Sequence, residues 1–129
     1  MKSLILSGLL FAVSLQADHV RWQSDYEKAR EKAVKEKKLL MVLLIENECS
    51  QCMKMLRTTF KDQSYIKSVN EKYISVLVTN GQKESYPIEL LYAIEYPSLF
   101  FLDAKEIFTR EPITGYVDPD TFEKYLNLQ

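Results

Sequence analysis

The sequence predicts one α/β domain, a central mixed sheet of about four strands flanked by helices. Three observations carry this. Leu39 to Ile45 is an unbroken apolar run, the pattern of a central strand covered on both faces. Helical periodicities alternate with short apolar, β-branched and aromatic runs in the order α-β-α-β-α-β-β-α. That order implies parallel pairing through crossovers, with a final hairpin adding an antiparallel edge. The chain has 129 residues, enough for one core and not for two.

The N-terminal stretch stands apart from that fold. Met1-Lys2 supplies a positive start, Leu4 to Leu15 is apolar, and small residues follow at Ser14 and Ala17. This is the build of a secretory signal peptide, shorter than the roughly 20 apolar residues of a membrane span. Cleavage after Ala17 makes residues 1–17 the signal peptide and leaves 18–129 as the domain. Cleavage after Ser14, with Ala12 at −3, is one alternative, and an uncleaved anchor is another. No cysteine lies near the cleavage zone, which excludes a lipid anchor there. The expected location is the periplasm or the exterior.

Asp18 to Gln23 is a polar lead-in with the only His, His19, and the only Trp, Trp22. Ser24 with Glu27 reads as a capping box, opening a helix over 24–37 with Tyr26, Ala29, Ala33 and Val34 inward. The lysine-rich opposite face reads as a solvated surface rather than a docking patch. After the apolar strand and the segment containing the cysteines, Tyr65, Ile66 and Val69 suggest a helix reaching about Glu71, and Tyr73 to Val78 a second strand. Pro87 opens a short helix with Ile88, Leu91 and Ile94. Ser98 to Leu102 is a third strand, and Ile107 to Arg110 pairs back on it across the turn Asp103 to Glu106. Ile113 to Tyr116 leads out of the sheet. Asp118-Pro119 caps a last helix with Phe122, Tyr125 and Leu126 inward.

Composition excludes several functions. The chain is 47% apolar and 27% charged with a formal net charge of −1, so no general attraction to nucleic acid or anionic lipid is expected. Three glycines and four prolines leave no low-complexity segment. Phosphate loops, Ser/His/Asp sets and paired acid/base carboxylates are not visible.

The chemistry is concentrated in Cys49-Ser50-Gln51-Cys52, which holds the only two cysteines. Cys49, Cys52, Met53, Leu56 and Phe60 form a helical stripe, so a helix begins at or beside Cys49 with both sulfurs on one face. In an oxidising compartment such a pair is a disulfide, a redox pair, or both in alternation. Two thiolates are also half of a tetrahedral zinc set, but His19 lies far off in the lead-in, and no metal is expected.

Cys-x-x-Cys at the start of the helix after the first strong strand, Tyr96-Pro97 before the third strand, and Gly115 further on resemble the thioredoxin superfamily. Lys38 before the apolar strand and Phe100-Phe101-Leu102-Asp103 add to the likeness. Within the superfamily the chain looks like the small secreted bacterial proteins of periplasmic thiol–disulfide interchange. It departs at three positions: Glu48 stands where many thioredoxins carry Trp, Leu43 where they carry a buried Asp, and Tyr96 where Thr or Val is common. These separate it from the cytosolic enzyme and leave disulfide chemistry intact.

The resemblance implies a thioredoxin fold and a thiol–disulfide oxidoreductase with no cofactor beyond a redox-active Cys49–Cys52 disulfide. A helix N-terminus favours thiolate at Cys49, making it the nucleophile, with the more deeply placed Cys52 resolving. Tyr96, Pro97 and Gly115 would border the substrate groove, with Pro97 in a cis peptide. Glu46 and Glu48, as carboxylates near the sulfur, would disfavour thiolate and tune the pair towards reductant or isomerase work. Expected partners are protein disulfides and dithiols, with a membrane thiol donor and cytochrome c maturation among the candidates, and the protein itself monomeric. The contrasting reading is a redox-inactive binding module with a structural disulfide.

Overall fold

The computed structural model describes residues 18–81 and 86–127; the expected signal peptide lies outside them. Four strands, β1 (Leu39–Ile45), β2 (Tyr73–Thr79), β3 (Ser98–Leu102) and β4 (Ile113–Thr114), form one sheet in the order β2-β1-β3-β4. Helices α1 (Tyr26–Glu36), α2 (Ser50–Arg57), α3 (Ile66–Lys72) and α4 (Pro119–Asn127) cover it, and a 3-10 turn, Thr59–Lys61, follows α2.

β1 owes its central place to having no polar face. Leu40, Val42 and Leu44 point into one apolar layer with Tyr26, Ala29 and Ala33 of α1, and Met41 and Leu43 point into the other with Met55, Phe60 and Phe122. Successive strand residues face opposite ways, so an all-apolar strand fits only between two covered faces. β2 runs parallel to β1, from Leu39↔Tyr73 to Ile45↔Thr79. β3 runs antiparallel to β1, with Leu40↔Leu102 and Leu44↔Ser98. This corrects the expectation of parallel pairing for the third strand: no regular helix forms between β2 and β3 among the described residues.

That missing helix is the largest local departure. Pro87 to Leu91 makes a single turn, closed by the Leu91 N–H donating to the Pro87 carbonyl at 2.9 Å. Leu91 is buried, whereas Ile88 and Ile94 are 63% and 84% exposed. One inward apolar residue does not offset the ordering entropy of a helix of about two turns. The expected hairpin is also reduced. Phe108 makes an isolated bridge to Leu102, and the edge strand is instead Ile113–Thr114, paired through Ser98↔Thr114 and Leu99↔Ile113.

The helix ends differ in detail. Asp25, not Ser24, caps α1, its carboxylate accepting from the Lys28 N–H at 3.0 Å, and Lys37 closes the helix in the left-handed region at φ 56°. Val34 faces solvent. Asp118 caps α4 by accepting from the Thr121 N–H at 2.8 Å, as the Asp-Pro pair indicates. The lead-in is fastened to the edge of β2: Gln23 N–H donates to Ser75 and Leu77 N–H to Gln23, while Asn70 accepts from Arg21 N–H and donates to the His19 carbonyl.

Three phenols, Tyr26, Tyr65 and Tyr73, are pushed up, chiefly by burial, that of Tyr73 to about 12. Tyr26 also donates to the Glu106 carboxylate at 3.0 Å, and Tyr65 to the Thr59 carbonyl. The folded state keeps protons that the unfolded chain releases near pH 10, so these groups stabilise fully below that pH and lose their contribution as pH rises through 12. Urea titrations from pH 9 to 12 should therefore show stability falling, by up to about 1.4 kcal/mol per pH unit for each tyrosine. A flat profile would contradict their burial.

Candidate functional site

The site assembles where β1 ends. After Ile45, the chain turns through Glu46, Asn47 and Glu48, the last left-handed at φ 57°, and delivers Cys49 in extended geometry as the N-cap of α2. The Cys49 Sγ accepts from the Cys52 N–H at 3.1 Å. A side-chain acceptor at the N-cap satisfies one of the first-turn donors, and here that acceptor is sulfur. The same N–H and the positive helix end would favour a thiolate at Cys49. α2 carries no acidic residue in its first turn and has Lys54 and Arg57 in its last.

The two sulfurs are bonded, with S–S 2.11 Å and Cα–Cα 5.2 Å. Their surroundings are unequal: Cys49 is half-buried and Cys52 is 1% exposed. Met55 lies buried one turn beyond Cys52, whereas Met53, expected inward, is 43% exposed. The helix has turned so that positions 52 and 55 face the core. Leu43 is fully buried in the layer on this side of the sheet, so that position of β1 offers no proton-carrying group.

Pro97 follows a cis peptide bond after Tyr96 and is buried immediately before β3. Because Leu44 pairs with Ser98, Pro97 lies at the same end of the sheet as the turn leading to Cys49. Its carbonyl accepts from the Gly115 N–H at 2.7 Å. Gly115 has φ 81°, a conformation that disfavours side chains. A Cβ there would also lie 2.9 Å from Glu95 Oε1. Tyr116 continues towards α2: its hydroxyl lies 3.2 Å from Thr58 Oγ1, and Lys54 Nζ sits 4.4 Å from its ring centroid. The chain thus connects the cysteine helix to Gly115 and Pro97 through Tyr116.

Tyr96 is half-buried against the α1-side layer. Its phenol is pushed up, first by burial and then by the negative charge of Glu46, with Tyr86 and Tyr92 contributing, while a hydrogen bond with Asn80 acts the other way. Glu46 and Glu48 are both exposed, so water and salt screen their effect on the sulfur. Of the residues singled out in the sequence, Cys49, Cys52, Tyr96, Pro97, Gly115, Glu46 and Glu48 all gather at this end of the sheet. Glu95 was missed. Nothing in its local pattern marks it, and only its contact with Gly115 reveals it.

Among the described residues no three His, Cys, Asp or Glu side chains group to hold a metal, and no helix is long and apolar enough to cross a membrane.

Residues 21–104 match the family model described as thioredoxin-like. No curated protein matches the chain in sequence. Among solved structures, the oxidoreductase DsbH is similar at TM-score 0.69 and 17% identity, over 93% of this chain and 90% of that one. A thioredoxin from Thermus thermophilus matches at 0.71 and 18%, over 86% and 87%. The C-terminal domain of Neisseria meningitidis DsbD, in its oxidised form, matches at 0.61 and 18%, over 79% and 90%. At such identities the structural likeness establishes the fold alone.

Proposed function

The chain belongs to the thioredoxin-like family, and from that premise we propose that it is an extracytoplasmic thiol–disulfide oxidoreductase. The observation that carries the reading is the asymmetry of the pair: a half-buried Cys49 capping α2, and a Cys52 that is 1% exposed beneath it. In the reductive direction, Cys49 thiolate attacks a substrate disulfide, forming a mixed disulfide and releasing one substrate thiolate. Cys52, as thiolate, then attacks the Cys49 sulfur and releases the second. Two electrons pass to the substrate, and the Cys49–Cys52 bond is the oxidised product. Each thiolate formed takes up a proton from water, since Leu43 supplies none.

The direction proposed is reductant or isomerase, with protein disulfides as substrates and a membrane thiol donor restoring the dithiol. The proposed setting is periplasmic disulfide exchange or cytochrome c maturation, and its support is the signal-like N-terminal stretch from Met1 to Ala17. Direction rests mainly on Ser50-Gln51: with no histidine between the cysteines, no imidazolium stabilises the Cys49 thiolate, and a less stabilised thiolate makes the pair more reducing. The exposed glutamates add little.

A Cys52→Ala protein, unable to resolve, should accumulate a mixed disulfide with a disulfide-bearing substrate, visible as a mass adduct removed by dithiothreitol. Failure to trap any adduct would favour a binding module whose disulfide never cycles. Titration in glutathione buffers tests direction: a midpoint more oxidising than about −180 mV would overturn the reductant assignment.

A further inference from the structure

We propose that Glu95, aided by Glu46, makes the groove beside Pro97 select substrate disulfides flanked by lysine or arginine. The inference rests on the disulfide-exchange reading above and names its substrate class.

Glu95 is held in place rather than free on a loop. The hydroxyl of Ser98, itself fully buried, donates to the Glu95 carbonyl at 2.6 Å. That bond anchors the main chain two residues before Pro97. From there the side chain folds over Gly115, with Oε1 2.9 Å and Cδ 3.4 Å from where a Cβ would stand. The absent side chain of Gly115 is therefore the space the carboxylate uses. The Gly115 N–H is engaged by the Pro97 carbonyl and donates nothing to Glu95.

Glu46 lies two residues past Leu44, which pairs with Ser98, so it leaves β1 at the end where Tyr96 leads into β3, and its charge helps to raise the Tyr96 phenol. Two carboxylates thus border Tyr96-Pro97, one from the β1 end and one from the chain entering β3. Among the described residues, no Lys or Arg pairs with either. Lys54, the cation placed beside Tyr116, lies over that ring. An extended substrate running past Tyr96-Pro97 would meet the negative charge of both. Cationic side chains next to its cysteine gain there, and acidic ones are repelled.

The test uses the reduced full domain and two short peptides, each with one intrachain disulfide in the same loop. They differ only in having lysines or glutamates beside the cysteines. At low salt the lysine peptide should be reduced with the higher kcat/KM, by about two- to fivefold for each carboxylate. The preference should shrink towards unity at 0.5 M salt, where the screening length is only about 4 Å. Glu95→Lys should bring the preference close to unity, because Glu46 then opposes the new cation. Glu71→Gln makes a charge change at the opposite end of the sheet and should leave the ratio unchanged. Equal reduction of both peptides at low salt, or a ratio unmoved by Glu95→Lys, would overturn the selection while leaving disulfide exchange standing. Failure to reduce either peptide or insulin would overturn both.

Discussion

Replacing Cys49 with serine should abolish insulin disulfide reduction, lowering the rate by at least about a thousandfold to the uncatalysed background. The size follows from what the residue contributes. Serine keeps an acceptor at the N-cap, so the hydrogen bond from the Cys52 N–H can persist and the fold is retained. What disappears is the thiolate, since a hydroxyl is not ionised at pH 7 even at a helix N-terminus. Cys52, at 1% exposure, cannot substitute by meeting a protein disulfide directly. Turbidity from precipitating insulin chains, compared at equal protein concentration, measures the effect. Wild-type rates in the serine protein would remove the enzymatic reading, and circular dichroism would show whether the fold was kept.

The largest stability effect is expected at Phe122. Its ring is fully buried and lies 5.3 Å from Phe60 and 5.1 Å from Tyr65, centroid to centroid, in edge-on arrangements; Phe60 in turn lies 5.0 Å from Trp22. This aromatic row joins α4 to the 3-10 turn after α2, which is also tied by the Thr59 hydroxyl donating to the Val117 carbonyl. Phe122→Ala removes the apolar transfer term and leaves a cavity that rigid neighbouring rings cannot fill. The expected loss is about 3–5 kcal/mol, a large share of a typical domain's stability. Trp22, the sole tryptophan, reports unfolding from the same row. A urea midpoint unchanged in Phe122→Ala would mean that α4 does not dock as described. Phe122→Leu, which conserves much of the volume, should cost markedly less.

Several elements were legible because local chemistry alone specifies them. The apolar run of β1, the Asp118-Pro119 cap and the Cys-x-x-Cys pair at a helix start needed no distant partner. Elements that depended on distant partners were misread. Ile88, Leu91 and Ile94 have helical spacing, but only Leu91 finds a core to enter. Phe108 could form a ladder, yet Ile113 takes the edge. Met53 and Met55 are equally apolar, and the docking angle of α2 buries only the second.

The same division runs through the site. By itself the sequence determined which chemistry is available: two thiols one helical turn apart, a proline without an N–H, and a glycine free to adopt positive φ. Tertiary structure alone decided how those groups differ and meet. It buried Cys52 and left Cys49 partly open, set Pro97 beside Gly115 through the antiparallel pairing of β3, and folded Glu95 into the space that glycine leaves. The physical reason is range. Bonding capacity and backbone preference belong to a residue and its neighbours, whereas burial and charge environment are properties of contacts between segments far apart in the chain.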